Sequence, residues 1–259
     1  MGSPGREVSA PRRTLALFAL FALTACATPP QPVKTTSGIV TKTIEHQGAQ
    51  HRYAVYVPPG YDAASAWPLV VFLHGMGECG SDGTEQTTVG IGPAILARPD
   101  EWPCVVLMPQ KPIPRAEWEA YATLVMAQLT ATLQEYSIDR QRIALTGLSQ
   151  GGHGAYVLGA QESSLWSCVA PICGYANPKP LAQSLAALPL WAFHGEADPT
   201  VPVAQTKAMH EAIVKAGGQP KLTLYPGVGH NSWDRAYRTE GLAKWLLVQR
   251  APPSRPSRF

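Results

Sequence analysis

A serine attacks a carbonyl only when a base takes its proton and an acid orients that base. A chain built for this chemistry therefore carries three dispersed side chains and one special turn. Ser149 has the neighbours of such a turn. It stands in Gly147-Leu148-Ser149-Gln150-Gly151-Gly152, after the apolar run Ile143-Ala144-Leu145 and before an Ala/Leu-rich helical pattern. A strand that turns at once into a helix strains the residue between them. Side chains at the flanking positions would collide with neighbouring backbone, which calls for glycine at 147 and 151. The Ser149 hydroxyl is then held in the open above the sheet edge. The N–H of Gln150 falls at a helix N-terminus, where an unpaired donor can face a developing oxyanion.

The aspartates that follow Ser149 are Asp198 and Asp234. Asp198 lies in His194-Gly195-Glu196-Ala197-Asp198-Pro199, directly after an apolar strand. Catalytic groups on open parallel sheets sit at such strand ends. Glu196 is the nearest rival and fits the turn less well, and Asp234 enters the last helix. For the base, His230 stands in Pro226-Gly227-Val228-Gly229-His230-Asn231-Ser232-Trp233, a glycine-rich loop between the last strand and the last helix. His210 lies in a helical pattern and reads as a surface residue. His194 ends a strand and reads as a structural hydrogen-bonding residue. His153, one turn past Ser149, reads as a packing or loop contact. The second oxyanion donor must come from the loop after the third strand, His74-Gly75-Met76-Gly77, and is assigned to the Met76 backbone. His74 itself reads as a residue that stabilises this turn. Glu78, Gln110 and Trp233 stand where they could line a substrate pocket; Trp118 fits the core better. No metal-ligand spacing is visible, and no metal or cofactor is expected.

These residues need a frame that brings strand ends together. Ile39–Glu45 and His51–Val57 alternate as half-buried strands, with Gly48 in a hairpin between them. Pro68–Leu73, Cys104–Met108, Arg142–Thr146, Cys168–Ile172, Leu190–Phe193 and Lys221–Tyr225 are further strand candidates, several of them continuous apolar runs. Helical patterns fall at 90–98, 116–136, 151–160, 203–216 and 235–249. Strands alternating with helices predict an α/β fold. Its sheet is mostly parallel with an antiparallel N-terminal edge, helices cover both faces, and there is no room for a large lid. Two segments, 78–89 and 177–187, read as loops long enough to shape a pocket.

Length and composition agree with one sizeable catalytic domain over residues 38–250. The formal charge of +3 is carried by the ends. Residues 1–25 contribute +2 and the last ten +3, which leaves about −2 between them. There is no basic stripe for nucleic acid. Residues 1–25 read as an export signal: Arg12-Arg13, then the apolar run Leu15–Leu23, too short for a mature membrane span. The run ends in Leu23-Thr24-Ala25-Cys26, which resembles a bacterial lipoprotein signal with Cys26 lipidated. A plain secretory signal cut near Ala25 or Ala27, or a short anchor, are the other readings. Residues 26–37 then form a Pro/Thr-rich tether from a membrane surface, and 251–259 a disordered tail. The expected location is the cell envelope. Cys79, Cys104, Cys168 and Cys173 remain; Cys104 and Cys168 read as buried free thiols, and Cys168 could meet Cys173 only if the chain bends between them.

HGMG, GLSQGG, HGEAD and GVGHNSW, in this order, resemble the α/β-hydrolase superfamily. Within it, the chain is similar to the esterase/peptidase group related to polyhydroxybutyrate depolymerases, feruloyl and acetylxylan esterases and dienelactone hydrolases. The Ser-Gln-Gly-Gly form is shared with the phospholipase/carboxylesterase group. The resemblance covers about residues 50–248. It implies a triad of Ser149, Asp198 and His230, with Met76 and Gln150 as oxyanion donors. Cys79 and Lys111 depart from the pattern, and both bear on substrate preference. The expected activity is hydrolysis of a small-molecule or polymer-linked carboxylic ester through an acyl-enzyme. A serine peptidase of the same fold and a non-catalytic binding protein are the alternatives. Oligomeric state is left open.

Overall fold

Strands buried on both faces need apolar side chains at every position, and the sequence supplies them at Leu69–Leu73 and Val105–Met108, all fully buried. The computed structural model describes residues 1–2 and 36–251. Eight strands form one sheet: β1 (Gly38–His46), β2 (Ala49–Val57), β3 (Trp67–Leu73), β4 (Val105–Pro109), β5 (Ile138–Leu148), β6 (Cys168–Ile172), β7 (Trp191–Gly195) and β8 (Lys221–Tyr225). Their order is β1-β2-β4-β3-β5-β6-β7-β8. β1 pairs antiparallel with β2 through the turn at Gln47-Gly48, and β2 antiparallel with β4; every other pairing is parallel. The predicted antiparallel edge and parallel body are both present.

The pleat sends alternate residues to opposite faces, so one strand feeds two cores. Leu69, Val71 and Leu73 pack on one side with Val125 and Leu129 of α2 (Ala122–Glu135), Ala155 and Leu158 of α3 (Gln150–Gln161), and Met209 and Ile213 of α5 (Val203–Lys215). Val70 and Phe72 pack on the other with Ile91 and Ile95 of α1 (Ile91–Ala97), Tyr237 of α6 (Trp233–Thr239) and Leu246 of α7 (Leu242–Val248). Helices thus cover both faces, and no connection is long enough to hold a lid domain.

The expected strand at Arg142–Thr146 is longer, as β5 shows, and three segments differ in kind from expectation. Residues 177–187 are not an open loop: α4 (Pro178–Leu185) occupies them, capped by Asn177, whose side chain accepts from the Lys179 N–H. Prolines in the first turn of a helix remove only amides that have no helical partner. The last helical pattern is two helices, because Gly241 takes φ 70° and breaks the turn between α6 and α7. The pattern over 116–136 enters as a 3-10 turn at Trp118–Tyr121 before becoming α-helical. Cys79, Cys104, Cys168 and Cys173 are all free thiols; Cys168 opens β6 and Cys173 follows it, and an extended strand keeps them apart. The predicted export signal, Cys26, residues 26–35 of the tether and residues 252–259 of the tail lie outside the described residues. Among the described residues no helix is long and apolar enough to cross a membrane.

Candidate active site

Ser149 joins β5 to α3 with φ 53° and ψ −117°, a region that costs an L-residue on the order of 1–3 kcal/mol. The surrounding backbone holds it there. Its N–H donates to the Ile172 carbonyl of β6 at 2.9 Å, and its own carbonyl accepts from the His153 N–H at 3.0 Å. A side chain at Gly151 would place its first carbon 1.9 Å from the Leu73 carbonyl oxygen, and one at Gly147 would lie 2.2 Å from that of Gly151. Both glycines are therefore required by the crossing of β3, β5 and α3.

Asp198 follows β7 and His230 follows β8, so neighbouring strand ends deliver both to Ser149. His230 Nε2 lies 2.9 Å from Ser149 Oγ, and His230 Nδ1 lies 2.7 Å from Asp198 Oδ2. Asp198 Oδ1 accepts from the Thr200 and Val201 amides at 2.8 and 2.9 Å. Burial works against the ionised carboxyl. The hydrogen bonds from His230, Val201 and Thr200 outweigh it and hold Asp198 below the ordinary carboxylate range. Oδ1 fixes the carboxylate, and Oδ2 keeps the proton of His230 on Nδ1. Nε2 is thereby left as the acceptor facing the serine hydroxyl. This is the nucleophile, base and acid arrangement typical of serine ester hydrolases.

Solved structures similar to the chain share this frame. A thermostable esterase superposes with a TM-score of 0.75 at 31% identity, over 82% of this chain and 63% of its own. The chain has the α/β-hydrolase fold. A ferulic acid esterase from the anaerobic fungus Anaeromyces mucronatus superposes with a TM-score of 0.61 at 18% identity, covering 83% of this chain and 89% of its own. An acylaminoacyl peptidase from Pyrococcus horikoshii gives 0.59 at 13% identity, over 82% of this chain and 40% of its own. Residues 111–239 match the phospholipase/carboxylesterase family. No curated protein sequence matches the chain. The chain spans less than two thirds of the length of the thermostable esterase.

Within this hydrolase fold, the loop after β3 runs beside the nucleophile: a carbon added at Gly75 would lie 3.6 Å from Ser149 Cβ. Met76, Ser149 and Gln150 line one cleft of about 340 Å³ with Tyr175, Val201 and Pro202. Gln150 is the first residue of α3, so its amide has no helical carbonyl to bond. Its side-chain amide donates to the Pro114 carbonyl at 3.0 Å, tying the 111–117 loop to the elbow. His74 is buried between the Gly75 carbonyl at 2.6 Å, to which Nδ1–H donates, and the Lys111 N–H at 3.1 Å, which Nε2 accepts. Burial, aided by the nearby Lys111 charge, lowers its pKa to about 4, although the bond to Gly75 opposes the shift. Trp118 is buried and donates to the His74 carbonyl at 3.1 Å. Lys111 is fully buried; its ammonium donates to the Ile113 carbonyl and lies 3.2 Å from Cys79 Sγ.

The three pocket candidates take different places, none among the residues that line the Ser149 cleft. Gln110 is buried and braces the 78–83 loop, bonding the Glu78 carbonyl, Asp82 and the Gly83 amide. The Glu78 carboxyl sits against the Gly75 backbone, where burial raises its pKa despite that contact. The Trp233 ring meets the His230 ring edge-on at 5.3 Å. Tyr175, Thr200, Val201, Pro202 and Gln205, which do line the cleft, follow no chemical pattern in the sequence. His153 stacks on Tyr175 at 4.8 Å, donates from Nδ1 to the Tyr175 carbonyl and lies 2.9 Å from Glu119, a loop contact as predicted. Two groups among the described residues could offer three ligands to a metal ion. One is Cys173, Asp198 and His230, where the two triad groups already bond each other; the other is Glu117, Glu119 and His153.

Proposed function

We propose that the protein hydrolyses carboxylic esters through an acyl-enzyme on Ser149. The observation that carries this is the unbroken hydrogen-bond line from Ser149 Oγ through His230 to Asp198 Oδ2, mounted on a strained elbow at an open cleft. Ser149 attacks the acyl carbon as His230 Nε2 takes its proton. Asp198 stabilises the imidazolium that forms. The backbone N–H groups of Gln150 and Met76 stabilise the tetrahedral oxyanion, a role worth about 3–4 kcal/mol per donor in such sites. His230 then protonates the leaving alcohol, and water repeats the cycle on the acyl-enzyme. Tyr175, Val201 and Pro202 give the cleft an apolar wall, which supports a compact acyl group. The likeness to a thermostable esterase and to ferulic acid esterases supports an ester as substrate. The peptidase of similar fold makes peptide amides the necessary control. The sequence around Cys26 supports export, with lipidation of that cysteine and attachment to an envelope membrane.

A panel of p-nitrophenyl esters of rising acyl length, with feruloyl and acetyl-sugar esters and aryl amides beside it, tests the activity. The expected result is turnover of short esters that Ser149→Ala abolishes while the fold survives. Full activity in that variant, or cleavage of amides alone, would overturn the reading. Mass analysis of Cys26 after expression of the full chain in a bacterium tests the anchor; an unmodified or absent N-terminal cysteine would contradict it.

A further inference from the structure

Asp198 Oδ2 serves two imidazoles. His230 Nδ1 lies 2.7 Å away, and His194 Nε2 lies 3.1 Å away. His194 is fully buried at the end of β7. Its Nε2 also lies 2.9 Å from the Val201 carbonyl, and its Nδ1 lies 2.7 Å from Thr206 Oγ1 on α5. The proton positions follow by elimination. Nε2 faces a carboxylate and a carbonyl, both acceptors only, so Nε2 carries a proton. Burial disfavours a second proton, which would charge the ring, and lowers its pKa, although the Val201 carbonyl and Asp198 pull the other way. Nδ1 is therefore bare and accepts from the Thr206 hydroxyl. That hydroxyl also lies 3.1 Å from the Gly174 carbonyl, but it has one hydrogen, and the shorter contact takes it.

We infer that His194 is a positioning residue for the triad: a neutral imidazole, locked as the Nε2–H tautomer by Thr206, that donates to Asp198 Oδ2 beside His230. The inference rests on the triad reading above and extends it. With Oδ1 held by the Thr200 and Val201 amides, the His194 bond fixes the remaining oxygen. It also draws negative charge from that oxygen, which tempers the pull of Asp198 on the His230 proton. The ionisable groups facing His194 are Asp198 and His230, and Cys173 at the end of β6 stands with them at the cluster.

The test begins with the unaltered full chain. In nitrogen-15 NMR of histidine-labelled protein, His194 should be neutral and protonated at Nε2 across about pH 6 to 8. The Nδ1–H tautomer, or an imidazolium that titrates in that range, would overturn the inference whether or not the protein is an esterase. Two variants then read the consequence. His194→Phe keeps a flat ring and removes every ring hydrogen bond; His194→Gln keeps a donor near the Nε2 position. Per Ser149 labelled by a fluorophosphonate, His194→Phe should lower kcat by about 10- to 100-fold with little change in KM. It should also move the acidic limb of kcat/KM to higher pH, because Asp198 then acts on His230 alone. His194→Gln should restore both. A folded His194→Phe with wild-type kcat per labelled site and an unmoved acidic limb would reduce His194 to packing. If His194→Phe does not fold, His194→Gln carries the same reading: it must match the wild-type limb, and a limb displaced as far as about one pH unit would refute the donor role. Failure of fluorophosphonate to label the parent would instead remove the triad reading.

Discussion

Replacing Asp198 by Asn changes one atom and should nearly silence the site. Oδ1 of residue 198 accepts from two fixed amides, Thr200 and Val201, at 2.8 and 2.9 Å. An asparagine keeps its oxygen there, since the opposite flip would set an NH₂ against two N–H groups. Its nitrogen must then take the Oδ2 position, 2.7 Å from His230 Nδ1. That nitrogen can only donate, so His230 surrenders its Nδ1 proton and becomes protonated at Nε2, 2.9 Å from Ser149 Oγ. The base now presents a proton to the hydroxyl it should deprotonate. A wrong-tautomer base of this kind costs about 10⁴-fold in kcat in a serine-histidine-aspartate enzyme, or about 5 kcal/mol of barrier. The fold should change little, because His194 can still donate to the Val201 carbonyl. The assay is kcat for p-nitrophenyl acetate in Asp198→Asn, with far-ultraviolet circular dichroism to confirm folding. A folded variant within about tenfold of the parent would refute the tautomer argument.

Two further outcomes follow from the elbow and its supporting loop. Gly151→Ala should destabilise by at least about 3 kcal/mol, because the new carbon meets the carbonyl oxygens of Leu73 and His74 and neither can swing aside as a side chain would; an unchanged urea midpoint would count against the close crossing. Stability should also fall in mild acid through His74. Above pH 6.5 its ring is neutral folded and unfolded; as pH drops from 6.5 towards about 4 the unfolded chain gains a proton that the native one refuses, so stability declines across that window by at most about 3 kcal/mol and the term levels off below it. Urea titrations at several pH values should show this slope, and His74→Gln should be less stable at neutral pH yet shallower in that window; an equally steep fall in the variant would place the acid sensitivity elsewhere.

The triad was legible because its chemistry leaves local marks. Ser149 needs glycines on either side for steric reasons, and Asp198 and His230 each stand in the loop after a strand, where a parallel sheet gathers its loops. What was not legible depended on contacts between distant segments. Tyr175 lines the cleft because β6 ends there, not because of its neighbours in sequence. Gln110 looked like a pocket residue from its place after β4, yet the facing 78–83 loop engages its amide. The helix at 178–185 was hidden by prolines whose effect depends on their position in a turn, and the Asn177 cap was the signal available to find it. His194 stood in plain view four residues before Asp198. The turn that brings it back onto that carboxylate, and the Thr206 hydroxyl that sets its tautomer, come only with α5 docked.

The central claim is that Ser149 is a nucleophile activated by His230. Intact-mass and peptide analysis after treatment with a fluorophosphonate tests it most directly. The account predicts one adduct per chain on Ser149, none in Ser149→Ala, and much slower labelling in His230→Ala. A parent protein that stays unlabelled, or a His230→Ala variant that labels as fast as the parent, would contradict it.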